Sequence, residues 1–188
     1  VAMLNQHGQE IYYGQAGYAD REAGRPMTRD TIFRMFSMSK PVTACAAMIL
    51  LERGQIDLLD PVQKYLPGFA DQVYWDGAQL RRVEIPATIK DLLGMTSGVV
   101  YGGAQGYAET RMQALWAEVQ AGQARGEETG TVDFANRMGR VPLAFAPGSR
   151  WQYGASADVL GAVVEVVSGK RFGDFLREEI FADRKSVV

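Results

Sequence analysis

The chain opens in a strand rhythm and settles into a helical one. Residues 1–4 are apolar, Asn5, Gln6, His7 and Gly8 carry turn chemistry, and residues 10–19 hold Ile11, Tyr12, Tyr13 and Tyr18. That pattern predicts a β-hairpin. A polar loop over 21–30 follows. Residues 37–53 then read as a helix, with Gly54 as its C-terminal stop. Between Pro41 and Leu51 only Thr43 is polar. This predicts a helix apolar on nearly all sides and buried centrally. Residues 57–66 read as a short connection broken by Pro61 and Pro67.

Thr88-Ile89-Lys90-Asp91 resembles a capping box, with Asp in place of Glu, opening a helix that stops at Gly94. Thr96, Ser97 and Gly98 begin a glycine-rich loop that runs to Gly103. An exposed helix is predicted over 108–124, and another over 132–140 behind Thr131. Phe145-Ala146-Pro147-Gly148 reads as a turn. A helix from Ser156 or Ala157 to Ser168 is closed by Gly169, and a last one spans 172–181. The layout is two strands followed by a mostly helical region, without internal repeats or low-complexity tracts.

Composition narrows the function classes. With 47% hydrophobic residues the chain can bury a real core. A net charge of −2 without a run of Lys or Arg implies neither nucleic acid nor an anionic membrane surface as partner. No stretch reaches the roughly 18 apolar residues that a membrane span needs. The single cysteine, Cys45, excludes an internal disulfide and a thiolate zinc cluster, and its apolar surroundings predict a small buried filler. No metal or organic cofactor is implied.

Candidate chemistry centres on Ser37-Met38-Ser39-Lys40. Residues three apart on a helix share a face, with Cβ atoms roughly 5–6 Å apart. A lysine amine can therefore reach a serine hydroxyl one turn away. Pro41 has no N–H to return, so it is tolerated only in a first turn, and the helix is expected to start at about Ser37. The positive end of the helix dipole would then favour an alkoxide on Ser37. Lys40, backed by an apolar helix, is expected to be desolvated. Desolvation lowers an amine pKa and would leave part of it neutral and basic.

A Ser–His–Asp triad needs an imidazole. His7 is the only histidine, and it falls in the hairpin turn. A G-x-S-x-G elbow is also absent. Gly154-Ala155-Ser156-Ala157-Asp158 and Gly94-Met95-Thr96-Ser97-Gly98 each fail at a required position. A lysine-based or tyrosine-based proton shuttle remains.

Three blocks carry a family resemblance. They are Ser37-Met38-Ser39-Lys40 behind Phe33 and Phe36, Leu92-Leu93-Gly94-Met95-Thr96-Ser97-Gly98, and Phe145-Ala146-Pro147-Gly148-Ser149-Arg150-Trp151-Gln152-Tyr153. In this order they resemble the serine β-lactamase-related hydrolases, which include class C β-lactamases, D-Ala-D-Ala carboxypeptidases and family VIII carboxylesterases. The run from Tyr153 through Asp158, Val159, Leu160 and Gly161 to Ser168 and Gly169 is closest to the esterase branch. The resemblance implies an acyl-enzyme on Ser37, with Lys40 and Tyr153 sharing the proton and the Ser37 backbone N–H forming half of an oxyanion hole. Trp151, Ala155 and Tyr101 are the implied substrate-facing residues. Two departures stand out. Ala155 occupies the position where lactamases and peptidases carry an Asn that bonds a substrate amide, which favours an ester. Met95 stands where relatives often have His.

The expected fold is α/β of the β-lactamase/transpeptidase type, an antiparallel sheet flanked by helices plus a helical subdomain. Residues 1–182 read as part of such a domain, with further strands and a Lys-Thr-Gly-like segment expected beyond. Residues 183–188 resemble a translated sequencing adapter and are expected to be a non-native tail. The expected substrate is a small carboxylic ester or a β-lactam-like molecule. The alternatives are β-lactam or D-Ala-D-Ala peptide hydrolysis, and a non-catalytic ligand-binding protein on the same scaffold.

Overall fold

The computed structural model describes residues 1–182; the expected non-native tail at 183–188 lies outside them. The described chain forms two units, one over Val1–Ser37 and one from Met38 onward.

In the first unit, β1 (Ala2–Gln6) and β2 (Gln9–Gly14) form the predicted antiparallel hairpin. Its two-residue turn, His7-Gly8, has φ of +51° and +77°. Two positive φ values are what a type I′ turn requires, and they match the right-handed twist of paired strands. The polar stretch expected as a loop instead contains a second small ladder, β3 (Tyr18–Asp20) with β4 (Arg25–Pro26). Two- and three-residue strands leave no readable alternation, which is why the sequence hid them. Arg29 donates two hydrogen bonds to the Glu10 carboxylate, at 2.6 and 2.8 Å, while its guanidinium lies 3.8 Å from the Tyr13 ring centroid. That bidentate, stacked geometry is specific to arginine.

The second unit is mostly helical. It contains α1 (Ser39–Glu52), α2 (Ile89–Gly94), α3 (Tyr107–Ala124), α4 (Thr131–Gly139), α5 (Ser156–Ser168) and α6 (Phe172–Leu176), the last continuing as a wider π-type turn over Arg177–Phe181. The hairpin β5 (Val73–Trp75) with β6 (Leu80–Arg82) interrupts them and was not foreseen. Its signal was the Asp76-Gly77 pair between short β-rich runs. The Asp76 carboxylate accepts from the N–H groups of Ala78 and Gln79 and from Arg81, and these bonds lower its pKa to about 2.

The central helix is α5, not α1. Val159, Leu160, Ala162, Val163 and Val164 are all buried, and α1, α2, α4 and α6 pack around it. On α1 only the stripe Thr43, Ala46, Ala47 and Leu50 is buried. Those positions follow the i, i+3, i+4, i+7 spacing of one helix face. The opposite face carries Met48 and Cys45, both exposed. Cys45 is therefore not the buried filler its neighbours implied, because a uniformly apolar helix gives no clue to which side faces the core. Leu160→Ala is expected to cost about 2–5 kcal/mol, the range for a deleted core leucine; urea unfolding of the full-length protein measures it.

The capping box forms as predicted. The Thr88 hydroxyl accepts from the Asp91 N–H, and the Asp91 carboxylate accepts from the Thr88 N–H. The other oxygen of Asp91 accepts from the Thr96 hydroxyl at 2.7 Å. One aspartate thus starts α2 and fixes the loop that follows. Met95 closes α2 with φ of +57°, a left-handed position normally taken by glycine or asparagine.

Candidate active site

Ser37 is exposed and lies in the 3₁₀ turn Phe36–Met38, which runs directly into α1. The α-helix starts at Ser39, two residues later than expected, because the preceding turn is of the tighter kind. Pro41 still falls in the first helical turn, where its missing N–H has no partner to lose. Phe36, just before Ser37, has φ of +46°. For a bulky side chain that is a strained backbone, a feature that clusters at functional sites.

Lys40, half-buried in the first turn of α1, lies against two neighbouring tyrosines. Its ammonium is 4.8 Å from the Tyr153 ring centroid and 5.4 Å from that of Tyr101, and the two rings are 5.9 Å apart. Burial pushes the Lys40 amine down, but hydrogen bonds and charge attraction with the oxygens of Tyr101 and Tyr153 outweigh it, and the net shift is upward. This corrects the expectation of a partly neutral lysine: at neutral pH Lys40 is a cation. Asp158, in the first turn of α5, feels the same cation. Partial desolvation raises its carboxyl pKa, and Lys40 opposes the rise.

Of the three expected substrate-facing residues, Tyr101 packs against Lys40 and Tyr153 instead of standing apart from the cluster. Trp151 is 65% exposed, two residues before Tyr153. Ala155 is fully buried in the core and presents no surface to a ligand. It is the residue from which α5 begins.

In the sequence Ser97 and Ser156 stood out only within two failed elbows. Both are buried, and their hydroxyls are hydrogen-bonded to each other at 2.9 Å. That pairing explains why neither imitation elbow presents a nucleophile. Gln152 was missed. Its N–H donates to the Met95 carbonyl, and its side chain donates to Glu109 at 3.0 Å.

Among the described residues no group of three or more His, Cys, Asp or Glu is placed to hold a metal ion. Nor is any helix among them long and apolar enough to cross a membrane.

A family model described as Beta-lactamase matches residues 1–184. The chain belongs to the Beta-lactamase family. Among its curated relatives is Esterase EstB of Burkholderia gladioli, 39% identical over 173 residues, covering 90% of this chain and 41% of the relative. Penicillin-binding protein 4* of Bacillus subtilis is 29% identical over 182 residues, covering 96% of this chain and 35% of that protein. Among solved structures, EstCE1, described as a hydrolase with promiscuous acyltransferase activity, superposes with a TM-score of 0.76 at 30% identity, covering 97% of this chain and 45% of its own. The chain therefore spans less than half the length of these relatives. The β-lactamase/transpeptidase-like fold holds, and the family's members similar to this chain include esterases, acyltransferases and penicillin-binding proteins.

Proposed function

We propose that the protein carrying this chain is a serine hydrolase that cleaves small carboxylic esters through an acyl-enzyme on Ser37. The observation that supports this most is the Lys40 cation seated over Tyr153 and hydrogen-bonded to it, at the head of the helix that Ser37 leads into. A nearby cation favours the charged form of a phenol. In this reading Tyr153, held by Lys40, is the base.

Tyr153 takes the proton of Ser37 as the serine oxygen bonds to the ester carbonyl carbon. The collapsing intermediate breaks the carbon–alkoxy bond, and Tyr153 returns the proton to the departing alcohol. A water then attacks the acyl carbon, gives a proton to Tyr153, and Ser37 leaves with that proton. Proton transfer by a positioned group accelerates such steps by about 10²–10⁴. Tyr101 is a second contact of the Lys40 ammonium, beside Tyr153, and Trp151, exposed two residues before Tyr153, is a wall for substrate.

Ester preference draws on the curated esterase among the relatives. The full-length protein is therefore expected to show a higher kcat/KM for a short-chain nitrophenyl ester than for a cephalosporin. The reverse order would refute ester preference and return the lactam reading.

A further inference from the structure

Tyr101 and Tyr153, the two tyrosines around Lys40, come from different segments. Tyr101 lies in the loop between α2 and α3, and Tyr153 precedes α5. Their separation is therefore a property of how those two segments are joined. Three backbone hydrogen bonds cross between them: Gln152 N–H to the Met95 carbonyl, Gly148 N–H to the Thr96 carbonyl, and Ala144 N–H to the Gly98 carbonyl. All three lie on the stretch of loop before Tyr101 and on the approach to Tyr153. Past Tyr153 the join is made differently. Gly154 packs so closely on the backbone of Val99 and Val100 that a Cβ there would overlap the Val99 carbonyl oxygen. Beside it, the Ser97 and Ser156 hydroxyls meet at 2.9 Å, and Ser97 also accepts from the Val99 N–H at 3.2 Å.

We propose that the buried Ser97–Ser156 pair is a positioning device that sets the spacing of Tyr101 and Tyr153 around Lys40. The two serines bracket the cluster in sequence: Ser97 is four residues before Tyr101, and Ser156 is three after Tyr153. Both are shielded from water, so no solvent competes for their hydroxyls, and the Val99 N–H holds Ser97 in place. A pair serving packing alone would do as well as two methyl groups in so apolar a surrounding. This role rests on the serine-hydrolase reading for its kinetic consequence, because a misplacement of about 1 Å at a reacting group can cost a hundredfold in rate.

The test compares Ser97→Ala, Ser156→Ala and the double variant in the full-length protein. Each single change leaves the partner hydroxyl without its bond to the other serine, whereas removing both leaves two methyl groups and only the Val99 N–H without its acceptor. Thermal stability should thus fall in the singles, and the double should be more stable than Ser97→Ala, recovering in part. The rate should not return. In the double variant kcat for a nitrophenyl ester is expected to stay about ten- to a hundredfold low, with KM nearly unchanged.

A readout independent of turnover is the pH titration of Lys40, followed by the chemical shift of its side-chain carbon. The groups facing its amine are Tyr101, Tyr153 and Asp158. In the double variant, looser tyrosines should let the titration move down toward the ordinary lysine range. Recovery of kcat in step with stability, or a Lys40 titration identical to the wild type, would overturn the proposal. Should the double variant not fold, Ser156→Thr keeps the hydroxyl and should retain kcat within a few-fold; a loss at unchanged stability would overturn it equally. Ser37→Ala, run in parallel, separates the two readings. If it retains turnover, the serine-hydrolase reading falls, while the Lys40 titration still decides the role of the serine pair.

Discussion

Lys40→Ala and Tyr153→Phe are each expected to lower kcat by about a thousandfold or more, and the double variant to be little worse than either single. In the proposed mechanism the Lys40 cation would support the tyrosine oxygen that accepts the Ser37 proton. Without the ammonium, Tyr153 loses the charge that favours its deprotonated form. Without the phenol oxygen, the ammonium has no proton acceptor to support. Each change disables the same step, and such groups are strongly non-additive. Tyr101→Phe tests the division of labour between the two tyrosines. It should cost less than Tyr153→Phe, because the Tyr153 ring lies nearer the ammonium, at 4.8 against 5.4 Å. Steady-state rates with a nitrophenyl ester, beside circular dichroism to check folding, measure all four proteins. Additive losses in the double variant would mean that Lys40 and Tyr153 act separately.

Ser37→Ala is expected to remove ester turnover almost entirely, on the order of 10⁴-fold or more, as when a covalent nucleophile is deleted. Substitutes are few. Ser97 and Ser156 are buried and bonded to each other, so they cannot reach a substrate. Ser39 is exposed and sits two residues away at the first position of α1, which makes it the serious rival. The strained Phe36 backbone precedes Ser37, not Ser39. Ser39→Ala should therefore leave most of the rate intact.

Much of this arrangement could be read from residue order, and the parts that could not have physical reasons. The cap of α2 was legible because Thr88 and Asp91 act on their own backbone three residues apart, without help from the rest of the fold. The stop of α5 was legible because Gly169, with φ of +67°, is a local conformational demand. Which helix forms the centre was not. The apolar residues of α1 surround it, so only packing against α5 selects Thr43, Ala46, Ala47 and Leu50 for burial and leaves Cys45 out. The charge of Lys40 was misjudged for the same reason. Desolvation was foreseeable from the apolar helix behind it, but the opposing tyrosines lie 61 and 113 residues further along the chain. Tyr153 came from the resemblance alone, and nothing local marked Tyr101 as a lysine partner. The Ser97–Ser156 bond joins residues 59 apart, and each serine had been noticed only as a failed elbow.

The central claim, acylation of Ser37, is tested most directly by labelling the full-length protein with a fluorophosphonate and mapping the modified peptide by mass spectrometry. One label is expected, on the peptide holding Ser37, with the fragment ions placing it on Ser37 and with none in the Ser37→Ala protein. A label on Ser39, Ser97 or Ser156, or labelling that survives in Ser37→Ala, would contradict the account.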